Sequence, residues 1–136
     1  MKKFVIKTMN SLYLTNRKDW RRWLAKNHQK KKEVWLVYYK RNSGKPSLSY
    51  DASVEEALCY GWIDSRAKSI NEQKFALRFT PRTKNSSWSK YNMARALKMI
   101  QQRKMTRAGM ALLPHDIHKE NLQFEFGHFT SKKIDL

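Results

Sequence analysis

Apolar and polar positions along the chain alternate with two different periods, and these periods divide it into elements. Beyond Thr15 or Asn16, either of which can cap a helix, Trp20, Trp23 and Leu24 recur at helical spacing up to about His28. Arg17, Lys18, Arg21, Arg22 and Lys26 fill the other half of that helix, so it is expected to bury an aromatic stripe and show a basic face. Residues 33–40 (EVWLVYYK) are β-branched and aromatic on both faces, which predicts a central strand covered on both sides. Residues 42–46 read as a turn and 48–50 as a short extended piece. Ser53 followed by Glu56 matches a capping box, and the short helix it opens is expected to stop at Gly61.

The second half continues with a hairpin, residues 62–70 and 75–80, joined through residues 71–73. In its second arm Phe75, Leu77 and Phe79 alternate with Ala76, Arg78 and Thr80, the mark of a half-buried strand. Pro81 ends that strand. Ser86, Ser87 or Ser89 can then cap a helix reaching about Arg103, with Met93, Ala96, Leu97 and Ile100 as its apolar stripe. A last short helix follows Thr106 and closes at Pro114. The order of elements predicts an α+β fold: a small antiparallel sheet with helices packed on it, in one domain spanning residues 1–114. The tail, 115–136, is assigned no firm structure. Trp20, Trp23, Trp35 and Leu97 are expected to be largely buried.

Length and charge narrow the functional classes. A chain of 136 residues fits one domain and can bury roughly two-thirds of its unfolded surface. The single cysteine, Cys59, excludes an internal disulfide, and no segment approaches the ~20 apolar residues of a membrane span. Residues 1–10 carry lysines but no apolar run of signal-peptide length, so a cytoplasmic protein is expected. Net charge is +18, with fourteen basic and two acidic residues before residue 51, against seven and five in 51–90. Such an excess predicts attraction to anions, and the basic first helix with the run Lys30, Lys31, Lys32 is its densest expression. No nucleic-acid motif is visible, so nucleic-acid binding through Arg17, Lys18, Arg21, Arg22 and Lys26 would go to phosphates rather than bases.

The unusual residues lie between Ala57 and Asn92: ALCYGWIDS, RFTPR and SSWSKYN. With Trp23 and Leu24 in the first helix, Val34–Trp35–Leu36 in the strand and Met105 to Gly109 beyond, this ordered set resembles the YdeI/OmpD-associated family, also described as bacteriocin-protection proteins. The resemblance covers about residues 12–113. It implies a cytoplasmic domain linked to envelope stress and to resistance against cationic toxins. Lys104 departs from that pattern, which prefers glycine and arginine before the methionine, and the aromatic tail after Pro114 departs as well.

The same residues suggest a site on physical grounds. Trp62 and Asp64 face one side of a strand, Arg82 stands at the mouth of the other arm, and Trp88 and Asn92 share one face where the next helix begins. A carboxylate, the guanidinium forks of Arg78 and Arg82, hydroxyls and a helix start would suit a small anion or phosphate. A plainer reading makes Asp64 with Arg78 or Arg82 a structural ion pair, with Trp62 and Trp88 as core. Cys59 has no base near it in sequence and reads as a buried small residue. His115, His118, Asp116 and His128 read as a polar tail rather than a metal site. The chain offers no glycine-rich phosphate loop and no paired-carboxylate signature, and neither cofactor nor metal is expected. The expected role is binding of an anionic small molecule or polyanion. An enzyme acting on a small anionic metabolite near Asp64 and Arg82, or a phosphate-backbone nucleic-acid binder, are the alternatives.

Overall fold

The computed structural model describes residues 10–114. Elements run β1 (Ser11–Tyr13), α1 (Arg17–Asn27), β2 (Val34–Tyr39), a 3-10 turn (Arg41–Ser43), α2 (Tyr50–Cys59), β3 (Trp62–Ser69), β4 (Lys74–Pro81), α3 (Lys90–Gln101) and α4 (Arg107–Met110). They form one α+β domain. The four strands lie in the order β1-β2-β4-β3. β2–β4 and β4–β3 are antiparallel, as the alternation predicts. The sheet is nevertheless mixed, because β1 joins β2 in parallel. That pairing needs a crossover, and α1 supplies it. Three residues, Ser11 to Tyr13, carry too little pattern to announce a strand; only Leu12 turns into the core.

β2 is central and buried on both faces. Val34, Leu36 and Tyr38 meet Phe79, Leu77 and Phe75 across the β4 register and face the helices. Trp35 and Val37 turn the other way and pack with Ala76 and Ile70. The hairpin turn is local chemistry: the Asn71 side-chain oxygen accepts from the backbone of Gln73 and Lys74, at 2.8 and 3.0 Å. β3 lies at the sheet edge, and its residues 65–69 are exposed.

Asn16 caps α1 by accepting from the Asp19 amide. Trp20 and Leu24 of α1 are fully buried, while Trp23 is half-buried against Trp20 and Trp62. In α3 the deepest residues are Ala96, Met99 and Ile100; Leu97 and Met93 are half-buried. Burial expected of Trp20 and Trp35 is observed, and that of Trp23 and Leu97 is partial.

Two local expectations are corrected around α2. The helix starts four residues early, because Ser49 is its cap and accepts from the Ala52 amide. Residue 50 is therefore helical rather than extended. Ser53 and Glu56 are interior positions, not a capping box: Ser53 Oγ donates to Tyr50 O and accepts from Tyr38 Oη at 2.6 Å. The helix does stop at Gly61, whose φ of +76° favours glycine. A Cβ there would come within 2.9 Å of Leu112 Cδ1. Gly109 is tighter still, because α4 approaches the carbonyls of Leu58 and Cys59 closely enough to leave no room for a side chain.

Candidate functional site

Helix α2 is the hub of the helical layer, with residues 53–59 all buried. Two of these are carboxylates. Glu56 Oε2 accepts from Arg17 Nε and Lys104 Nζ, both at 2.7 Å, and Oε1 accepts from Arg21 Nη1 at 2.9 Å. Glu55 accepts from Arg17 Nη2 at 2.7 Å and Lys98 Nζ at 2.9 Å. Burial alone would push both carboxyl groups up. Hydrogen bonds from Lys104, Arg21 and Arg17 at Glu56, and from Arg17 and Lys98 at Glu55, overcome it and hold both below the usual carboxylate range. This network corrects the expected basic face of α1. Arg17 and Arg21 border Leu24 on the helical wheel and turn inward to Glu55 and Glu56. Arg22 pairs with Asp19, while Lys18 and Lys26 remain exposed. It also accounts for Lys104, whose ammonium takes up part of a buried charge.

The hairpin and the start of α3 place the residues of the central motif block. Trp62 is core: it is 1% exposed, stands edge-on to Trp23, and donates through Nε1 to His28 O at 3.3 Å. Asp64 faces the helices, in register with Phe79, but among the described residues no guanidinium forms an ion pair with it. Its carboxylate accepts from Tyr50 Oη at 3.1 Å. Tyr50 in turn lies under Arg95, whose guanidinium carbon is 5.4 Å from the ring centroid. Arg95 holds Asp51 at 2.6 Å and Asn92 Oδ1 at 2.8 Å. Asp64 and Asn92 are thus joined, though through Tyr50 and Arg95, which the sequence did not single out. Arg78 falls on the opposite face of the sheet beside Trp35, paired with Glu33 at 2.6 Å. The expected Asp64–guanidinium pair is replaced because strand alternation separates Arg78 from Asp64 and the chain carries Arg82 beyond the end of β4.

Arg82 is set by backbone. Its amide donates to Gly61 O at 2.8 Å, which fixes it just past β4. The residue is only 8% exposed. The guanidinium carbon lies over Trp88, 3.9 Å from the ring centroid, and Nη2 donates to Ser87 O. Nε is buried with no acceptor, and among the described residues no carboxylate pairs with Arg82. Burial pushes this guanidinium below its ordinary value. Two residues past the carbonyl that it holds, Ser89 caps the twelve-residue α3 and accepts from the Asn92 amide. Thr83 and Ser86 add hydroxyls in the same loop, 2.7 Å apart. A buried cation, an unmet donor, an aromatic platform and a helix start are therefore close in the chain and in space.

Residues 12–112 match one family model. The chain belongs to a family described as a domain of unknown function, DUF8412. No curated protein and no solved structure matches it. The DUF8412 match covers every element from α1 to α4, all three segments of the motif block and the buried carboxylate network.

Covalent chemistry has little support in this DUF8412 domain. Cys59 is fully buried, and burial raises its thiol to about 11. Its carbonyl accepts from the Thr106 amide and hydroxyl. His28, at the end of α1, has Nδ1 against Leu24 O and its ring against Tyr60. Among the described residues no group of three His, Cys, Asp or Glu side chains could hold a metal ion. No helix among them is long and apolar enough to cross a membrane. The tail with His115, Asp116, His118 and His128 lies outside the described residues, as do residues 1–9.

Proposed function

We propose that this is a cytoplasmic binding domain for a small anion bearing carboxylate or phosphate oxygens, held by Arg82 at the start of α3. The observation that carries the reading is the Arg82 guanidinium: buried, without a carboxylate partner among the described residues, and with Nε unsatisfied. Burying a charge without a counter-charge is costly, and an incoming oxyanion offsets that cost with charge-assisted hydrogen bonds. Trp88 holds the guanidinium plane in place, and the free amides of α3 favour negative charge at the same end. Binding rather than catalysis is favoured because the one thiol is buried and protonated, and no nucleophile in the block stands beside a base. A part in protection against cationic toxins, as the likeness to the YdeI/OmpD-associated family suggests, belongs to the same proposal.

Thermal shift against phosphate, sulfate, small carboxylates and nucleoside monophosphates at low ionic strength tests it. A ligand at a hundredfold its Kd stabilises by about 2.7 kcal/mol. Arg82→Ala is expected to abolish that stabilisation while barely moving the unliganded melt. A brace behaves otherwise. Wild type then gains nothing from any anion, and Arg82→Ala loses roughly 1–3 kcal/mol through the stranded Ser87 carbonyl and lost stacking. That result would end the proposal.

A further inference from the structure

A second feature stands apart from Arg82. The 3-10 turn, the segment 44–49 and the start of α2 overhang the ends of β2 and β4, leaving an open groove of about 570 Å³. Its rim carries Lys40, Arg41 and Lys45. None of the three forms an ion pair with a carboxylate among the described residues. The network around Glu55 and Glu56 consumes basic side chains of α1, whereas here the positive charge is unspent. Its walls are aromatic. Tyr38 stacks on Phe75, with centroids 5.2 Å apart and planes 7° apart. Tyr39 meets Tyr13 edge-on and lies beneath the ammonium groups of Lys45 and Lys74, at 5.9 and 5.5 Å. Tyr50 closes one end.

Exposure points to the same place. Among the described residues the large exposed hydrophobic side chains are all tyrosines: Tyr13, Tyr50 and Tyr91. Tyr50 lines the groove and Tyr13 borders it, its hydroxyl bonded to Pro46 O. Aromatic faces interleaved with unpaired cations along an open groove are the two ingredients of sequence-tolerant single-strand recognition. Bases stack on the rings, and phosphates lie against the lysines and arginine. A duplex, with its bases already stacked, has no use for the rings.

We propose that this groove binds single-stranded nucleic acid, with bases against Tyr39 and Tyr50 and phosphates against Lys40, Arg41 and Lys45. The site is separate from the anion site at Arg82, and either can fail without the other.

The experiment is a fluorescence-anisotropy titration of the full chain with a labelled mixed-sequence single-stranded 12-mer, repeated over a salt series. Wild type is expected to bind the strand at least tenfold more tightly than the matching duplex or a nucleoside monophosphate. Replacing Lys40, Arg41 and Lys45 together with serine should weaken binding at low salt by more than tenfold. It should also reduce the salt slope by about 2, three lost phosphate contacts at roughly 0.7 each. Tyr39→Leu, which keeps an apolar side chain there, should cost about tenfold with the slope unchanged. Arg82→Ala should bind the strand as wild type does. Photocrosslinking of a bromouridine-bearing strand to unmodified protein needs no variant and should label the peptides holding Tyr39 or Tyr50. The proposal is overturned if wild type fails to bind the strand, or binds duplex or mononucleotide equally well. It is equally overturned if the serine variant keeps its affinity and slope, or if crosslinks fall elsewhere.

Discussion

Glu56→Gln tests the central packing argument most directly. Glu56 is fully buried and takes charged hydrogen bonds from Arg17, Arg21 and Lys104. Glutamine keeps the shape and one acceptor oxygen but removes the charge, leaving three cations facing a neutral amide. Removing one partner of a buried pair costs roughly 3–5 kcal/mol. The three cations are 28–36% exposed and can turn partly to water, and Arg17 keeps Glu55, so the low end applies. We expect a loss of about 3 kcal/mol in urea melts, or about 10–15 °C for a domain near this size. Lys98→Ala, removing a half-exposed partner of Glu55, should cost less than about 1 kcal/mol. The pH dependence has a definite sign. Because the folded carboxyl of Glu56 lies below its ordinary value, its stabilisation is complete above the usual carboxylate range and is lost as pH falls through the lowered value. Wild type should therefore lose stability in mild acid more steeply than Glu56→Gln. A Glu56→Gln loss below about 0.5 kcal/mol, or one equal to that of Lys98→Ala, would refute the reasoning.

Two further expectations concern the ends of α2. Gly61→Ala should destabilise by about 2 kcal/mol, from the left-handed backbone and the contact with Leu112, and a urea melt within about 0.5 kcal/mol of wild type would contradict the turn. Cys59 should resist an aromatic disulfide reagent at pH 8 in the folded protein and react at once in denaturant; rapid labelling of native protein would show the thiol to be accessible.

The parts legible in the sequence were those governed by local chemistry. Asn16 as a cap, Gly61 as a stop, the Asn71 turn and the alternation in β4 each draw on neighbours a few residues away. The misread parts have distant partners. Ser53 and Glu56 have the spacing of a capping box, but Glu56 is satisfied from residues 35, 39 and 48 positions away. Arg17 and Arg21 looked like solvent-facing charge until their acceptors were in place. Their adjacency to Leu24 on the wheel was the available signal. At the candidate site, Trp88 precedes the Ser89 cap and shares no helix face with Asn92, so helix phase misplaced it, and Asp64 took a tyrosine hydroxyl instead of an arginine. Asp64 lies in register with Phe79, so alternation along β4 turns Arg78 to the other face, and the register shift between Asp64 and Arg66 that sets this pairing is not encoded by any local pattern.

The exposed edge of the sheet has a consequence for solubility. β3 ends the sheet among the described residues, so one side of its backbone lacks a strand partner, an invitation for another chain to add a strand. Its residues 65–69 carry Arg66 and Lys68 and nothing larger than alanine among their apolar side chains. The ladder is also shifted between Asp64 and Arg66. A second copy approaching this edge would bring its own Arg66 and Lys68 against the same pair, and the irregular register would leave few straight hydrogen bonds to repay the repulsion. The positive charge that draws anions to other faces here keeps identical molecules apart, so crowding this protein should raise the risk of aggregation less than its open edge alone would suggest.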